Sequence, residues 1–502
     1  MGSDLEALRE WAASLADLDG VSALLHWDQQ TQMPPAGAPI RAERVATLEM
    51  LTHERFISEH TGELITAAKA QLAGADLTGV DWRTVEEFER DYEKARRVPA
   101  RLAVEMSRAA SDGFDRWQSA RAADDFSLYA PVLERNVELT RAYIACFDGY
   151  EDPYDVVLDN FAPAMRTSEV DILFGELKAG LVPLIGELAG RQVDDSCLHV
   201  SYPMAGQRRL LDHVLRLMGY EDSSWRLDES AHPFSTGIAQ RDIRVTTRYQ
   251  RDHFPTALYG AIHEAGHGLY DAGVAPEFER TPLGSLHSSV LHESQSRLWE
   301  NIVGRSRPFI EAITPSVVTH SAGVLDGLQA DELFRAVNVV KPQPIRLEAD
   351  EVTYGLHIVV RFELERELLA GRLAVRDLPE AWSVRMRDYL GVEVRNDAEG
   401  VMQDVHWSEL LFGYFPAYAL GTLVSAQLWQ AARSQLAELD TELARGRLAV
   451  LREWLRENVH QHGRRYSDAE LLERVTGQRL AVGPLLSYLK DKLGDVYGLT
   501  LA

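Results

Sequence analysis

Apolar residues return every three or four positions along most of this chain, and that spacing constrains the fold more than any other feature. The segments LFGELKAGLVPLIGELAG (173–190), RFELERELLAG (361–371) and SAQLWQAARSQLAELDTELARGRLAVLREWLRENV (425–459) set charges between those positions, as helices with one buried face do. The first hundred residues read as several further helices, interrupted at TQMPPAGAP (31–39), where a Pro pair and small residues mark a loop. Strand signals are few. The best is DIRVTTRYQ (242–250), which is rich in β-branched residues. No repeat of fixed period and no low-complexity linker divides the chain. The expectation is a mainly α protein, a single unit over residues 1–502 with a small sheet near residues 235–250. Two helical lobes flanking a cleft would fit this length.

Composition bounds the partners. Of 502 residues, 45% are hydrophobic, ample for a large core, and the net charge is −25. That charge argues against nucleic acid or an anionic membrane as the main partner, since both would repel the average surface. Only Cys146 and Cys197 are cysteines, so a disulfide framework is not expected and a reducing compartment is. The opening MGSDLEALREWAASLADLDG has no apolar stretch of signal-peptide length, and no run of about 18 apolar residues spans a membrane. A cytoplasmic protein is the expectation.

One segment stands apart: ALYGAIHEAGHGLYDAG (257–273) sets two imidazoles and a carboxylate inside an Ala/Gly-rich apolar run. Positions i and i+4 share a helix face, so His263 and His267 can present nitrogens to one metal ion. Glu264, about 100° round the helix from His263, lies beside that ion without ligating it. This is the H-E-x-x-H arrangement of zinc hydrolases, in which the Glu is the general base. With 16 His in the chain, chance supplies on the order of 0.04 such motifs, so two ordinary helix histidines are the weaker explanation. Gly266 and Gly268 lower helix propensity, which close packing or substrate approach explains better than helix stability.

A third ligand decides the class. A metzincin would need glycine at position 270 and histidine at position 273, where this chain has Tyr270 and Gly273. Downstream, SSVLHESQSRLWENIVG (288–304) begins another helix, with His292 and Glu293 near its first turn. A glutamate there would also be favoured by the helix dipole, a contribution under about 1 kcal/mol. Composition leaves His292 and Glu293 tied.

In order along the chain, WDQQTQMPPAGAPIRAERVATLEML (27–51), HPF (232–234), DIRVT (242–246), HEAGH (263–267), HESQSRLWEN (292–301), IRLEAD (345–350) and GVMQDVHW (400–407) together resemble the carboxypeptidase Taq family of thermostable-type zinc metallocarboxypeptidases. The resemblance implies Glu293 as third ligand and a helical, cleft-bearing fold similar to angiotensin-converting enzyme and neurolysin. It implies removal of single residues from peptide C-termini with broad specificity, using Zn²⁺ or sometimes Co²⁺, by a homodimer. One departure precedes the HES stretch, where Leu286, His287 and Ser288 replace the Gly/Ala-rich sequence common in the family; it bears on substrate preference.

Roles follow for named residues. Zn²⁺ held by His263, His267 and Glu293 activates water, and Glu264 moves its proton. His406 and Tyr414 in DVHWSELLFGYFPAY (404–418) resemble the oxyanion stabilisers of the angiotensin-converting enzyme group, and Tyr418 in the same stretch is a substrate-binding candidate. Arg244, on one strand face with Asp242 and Thr246, and Arg346 are the candidates for gripping a free carboxylate. Arg346 could instead pair with Asp350 at i,i+4, an interaction usually worth under about 0.5 kcal/mol. Asp350 is either that partner or an acceptor orienting a ligating imidazole. Gln403 could hydrogen-bond peptide backbone. His232 belongs to a matched motif without an assigned role, and His287 and His357 read as structural. Rival readings are a dipeptidyl carboxypeptidase or oligopeptidase on the same scaffold, and a silent scaffold protein.

Overall fold

The computed structural model describes residues 3–285 and 288–501, so Leu286 and His287 lie outside the described residues. Helices dominate it. Near the N-terminus, helices Asp4–Thr31, Ala38–Phe56, Glu59–Gln71 and Val80–Arg97 follow one another. Ser3 caps the first, its side chain accepting from Glu6 N, and the Pro-rich loop separates the first two as its residues require. Three of these helices bury Leu5, Leu8, Leu15, Ile65, Val85, Phe88 and Tyr92 together, in a core separate from the main one. Among the described residues no helix is long and apolar enough to cross a membrane.

The expected sheet is present and reaches back beyond residue 235 to a strand at Trp225–Glu229. Strands β1 (Trp225–Glu229), β2 (Ser235–Ala239) and β3 (Asp242–Thr247) lie in the order β1-β3-β2. β1 runs parallel to β3 with Trp225 opposite Ile243, and β2 runs antiparallel with Gly237 opposite Ile243. The stretch WRLDE of β1 carries charges and no β-branched residue, so local propensity is silent there. Tertiary packing decides it, through Trp225 in the main core.

The odd-numbered residues of β3 face helix Pro255–Gly273. Ile243 and Val245 are fully buried, and Thr247 Oγ1 donates to Ala257 O. The even-numbered Asp242 and Arg244 face the other way, towards Trp27 of the first helix. Downstream, the periodic run 425–459 is divided among helices Phe415–Gln435, Leu439–Ala444 and Ala449–Asn458, with Gly446 at a positive φ of 72° between the last two. Helix Ser289–Arg297 starts where its sequence predicts, capped by Ser288 on Leu291 N, and passes directly into a π-helical turn, Leu298–Val303.

Candidate metal centre

Helix Pro255–Gly273 is buried on nearly every side. Ala257, Leu258, Ala261, Ile262, Ala265 and Leu269 all enter the main core. Its glycines mark close packing against neighbours on two sides. A Cβ on Gly266 would come within 2.8 Å of the backbone of Gln295 and Ser296, and one on Gly268 within 2.7 Å of Ile243 and Trp225. Gly266 therefore lets helix Ser289–Arg297 approach close enough for Glu293 to reach the two histidines.

The three side chains converge. Nε2 of His263 and Nε2 of His267 lie 3.8 and 3.5 Å from Oε2 of Glu293. Ligand atoms of these three residues all fall within 4.8 Å of one another. Donors set tetrahedrally about an ion at 2.0–2.1 Å would be separated by roughly 3.3 Å, so a small inward movement completes a site. The donor set, two imidazoles and a carboxylate, suits Zn²⁺ and similar divalent ions. His292 is committed elsewhere: its Nε2 is 3.1 Å from Asp271 Oδ1, and its ring stacks on His267 at 4.3 Å.

Each histidine is held differently. His263 Nδ1 is 2.8 Å from Oε2 of Glu300, a residue the sequence reading did not single out. His267 Nδ1 is buried without a hydrogen-bond partner among the described residues, and its ring is fixed by the His292 stack. Burial works to lower the His263 pKa, but Glu293 and Glu300 outweigh it and raise the group to about 9. Burial and neighbouring His292 push His267 down to about 4. Both acids are held well below the ordinary carboxylate range despite burial, Glu293 chiefly by Arg297 and Glu300 chiefly by its His263 hydrogen bond. This pocket therefore holds ionised carboxylates, and a cation that binds there displaces the His263 proton. Glu264 differs: burial, with Glu293 adding to it, pushes it up to about 7.

Helix Phe415–Gln435 supplies the facing wall. Tyr414 is its N-cap and Tyr418 lies one turn in. Burial first, and then the charge of Glu293, raises Tyr414 to about 12, and burial, with Tyr414 beside it, raises Tyr418 well above its usual value. Both phenols thus stay protonated within the electrostatic reach of the ligand set. His406 Nε2 is 3.3 Å from Tyr418 Oη, and burial holds this imidazole down at about 3, so it is neutral.

Behind Tyr418 sits a buried charge cluster. Arg346, 3% exposed, donates through Nε and Nη2 to Asp404 Oδ1 at 3.0 and 2.7 Å and through Nη1 to Tyr354 Oη at 2.7 Å. Arg361 is paired with the other oxygen of Asp404 at 2.5 Å. Two guanidiniums share one carboxylate, leaving surplus positive charge in this wall.

Several expectations are corrected. Asp350 neither pairs with Arg346 nor supports an imidazole. Its carboxylate accepts from the backbone of Lys341, Val352 and Thr353, holding the turn that leads into helix Tyr354–Leu369. Residues 346–348 form a 3₁₀ turn followed by extended Ala349, so the i,i+4 geometry does not arise there. Gln403 is committed within the fold, accepting from Arg346 N and donating to Pro344 O and Glu399 O, so both of its amide N–H groups are taken. Arg244 is clamped by Asp242 through two 2.9 Å hydrogen bonds, and its guanidinium lies 4.3 Å from the Trp27 ring centre, on the sheet face turned away from the metal helix. His232 is exposed, and His357 is fully buried outside the ligand cluster.

Comparison with known proteins agrees with this architecture. A family model described as carboxypeptidase Taq (M32) metallopeptidase matches residues 7–493. Thermostable carboxypeptidase 1 of Thermus thermophilus is 41% identical over 98% of each chain, and Carboxypeptidase 1 of Bacillus subtilis 36% identical over 95% of each. Among solved structures, the M32 carboxypeptidase of Deinococcus radiodurans R1 is similar with a TM-score of 0.95 and 40% identity, covering 99% of this chain and 100% of that one. A Pyrococcus furiosus carboxypeptidase gives 0.94 and 31%, covering 98% and 99%. The chain thus belongs to the carboxypeptidase Taq family and is a metal-dependent carboxypeptidase, a hydrolase of peptide bonds.

Proposed function

We propose that the protein releases single amino acids from peptide C-termini with broad specificity, using one Zn²⁺ per chain held by His263, His267 and Glu293, with Co²⁺ an alternative ion. The convergence of these three side chains beside a buried Glu264 is the observation that carries the reading. When bound, the ion acts as a Lewis acid at the scissile carbonyl and lowers the pKa of water towards about 7. Glu264, already near neutrality in its proton affinity, takes the proton of the attacking water and delivers it to the departing amine. Tyr414 and Tyr418 donate from the facing wall to the developing oxyanion, and neutral His406 orients the Tyr418 hydroxyl.

Carboxylate capture falls to the positive wall rather than to Arg244. The surplus charge of Arg346 and Arg361 over Asp404 attracts a free C-terminus towards Tyr354 and Tyr418. A homodimeric assembly, a cytoplasmic setting and a cleft of the angiotensin-converting enzyme and neurolysin type complete the proposal. The two unpaired cysteines, Cys146 and Cys197, suit a reducing compartment. Mass spectrometry of peptide products, with and without chelator, tests the whole. Stepwise loss of single C-terminal residues, abolished by chelator, is expected; dipeptides or internal fragments would assign the dipeptidyl or oligopeptidase reading instead.

A further inference from the structure

Glu293 is fixed along its whole length. Its stem lies against Gly421 of helix Phe415–Gln435, where an added Cβ would come within 3.0 Å of Glu293 Cβ and Cγ. One carboxylate oxygen, Oε1, accepts from Arg297 Nε at 2.6 Å. The other, Oε2, faces the two histidines and receives a longer contact, 3.1 Å, from Ser296 Oγ, whose closer partner is Glu293 O at 2.7 Å.

Arg297 is itself immobilised. Its guanidinium lies 4.1 Å from the Tyr354 ring centre, and Nη1 is 3.5 Å from Oε2 of Glu300. A carboxylate with both oxygens free can chelate a divalent ion through the pair. One whose second oxygen is bonded at 2.6 Å to a stacked, buried cation has that oxygen and the plane of the group held in place, so Oε2, the oxygen nearest the two histidines, is the one presented to the ion.

We propose that Arg297 is a positioning residue that restricts Glu293 to one ligating oxygen, Oε2, and thereby keeps a coordination position open for the reacting groups. Catalytic sites of this kind depend on such an open position. Arg297 also spans the two acids that serve the ion, Glu293 directly and Glu300 through His263. This inference rests on the metal-centre reading above.

The test uses the full chain loaded with Co²⁺, comparing wild type, Arg297→Met, Arg297→Gln and His263→Ala by chelator competition and visible absorption. Wild type is expected to bind one equivalent with the intense bands of low-coordinate cobalt. Both Arg297 variants are expected to bind about 10–100-fold more weakly, as loss of groups that orient ligands does. Their bands weaken as the freed carboxylate oxygen joins the ion. Wild-type affinity and spectrum in either folded Arg297 variant overturn the proposal, and so does a metal-loaded wild-type crystal structure with Glu293 bound through both oxygens. If wild type takes up no cobalt, or His263→Ala takes it up unchanged, the metal-centre reading fails instead.

Discussion

Glu300 Oε2 lies 2.8 Å from Nδ1 of His263, so this acid holds the ring from the side opposite Glu293. It fixes the tautomer that leaves Nε2 free as a ligand and raises the basicity of the ring. Glu300→Gln keeps an acceptor but removes the charge. Metal affinity measured by chelator competition is expected to fall roughly 10-fold. An unchanged dissociation constant would show that the contact does not tune the ligand.

Glu264 is expected to separate binding from turnover. It adjoins His263 in sequence but is absent from the three-residue ligand cluster. Glu264→Gln preserves shape and removes the proton acceptor. The variant should bind one equivalent of metal and hydrolyse peptides at least about 100-fold more slowly, the scale of general-base assistance. Residual hydrolysis at the wild-type rate in the metal-replete variant would remove Glu264 from the reaction.

What the sequence revealed and concealed follows a physical divide. The pair His263 and His267 was readable because i,i+4 geometry is local to one helix. Glu300 was not, because its contact is with His263, 37 residues away on another helix, and no local spacing signals such a pairing. The local pairing of Arg346 with Asp350 lost to Asp404, 58 residues away, because no helix exists at 346–350 to support it. Which way Asp242 and Arg244 turn was set by helix Pro255–Gly273 packing on the Ile243 face, a tertiary choice that strand alternation alone leaves open.

Carboxylate recognition by the positive wall has its own signature. Arg346→Ala leaves Asp404 paired with Arg361 and removes the surplus charge beside Tyr418. KM for free-carboxylate peptides is expected to rise about 10-fold or more above any change for the C-terminally amidated analogues, since only the free carboxylate carries the charge that this wall attracts. Equal changes for both substrates would place carboxylate capture elsewhere.

Glu365 makes stability depend on pH through the loop that carries His406 and Tyr414. Fully buried, it accepts from Tyr154 Oη at 2.5 Å, Trp407 Nε1 at 2.7 Å and Gly413 N at 3.1 Å, joining both ends of that loop. Burial nonetheless raises its pKa from 4.5 to about 7, against the pull of these donors. The folded state therefore holds the proton more tightly than the unfolded chain. This contribution to stability is fully present below pH 4.5, declines as pH rises through 7, and is level above it. Glu365→Gln cannot lose a proton, so urea midpoints recorded from pH 5 to pH 8 should fall less steeply in the variant than in wild type. The variant should also be less stable at low pH, because its single amide oxygen cannot serve three donors, a loss of about 1–3 kcal/mol. Parallel midpoint curves for the two proteins would mean that Glu365 does not titrate in this range, and that its three donors hold it ionised throughout.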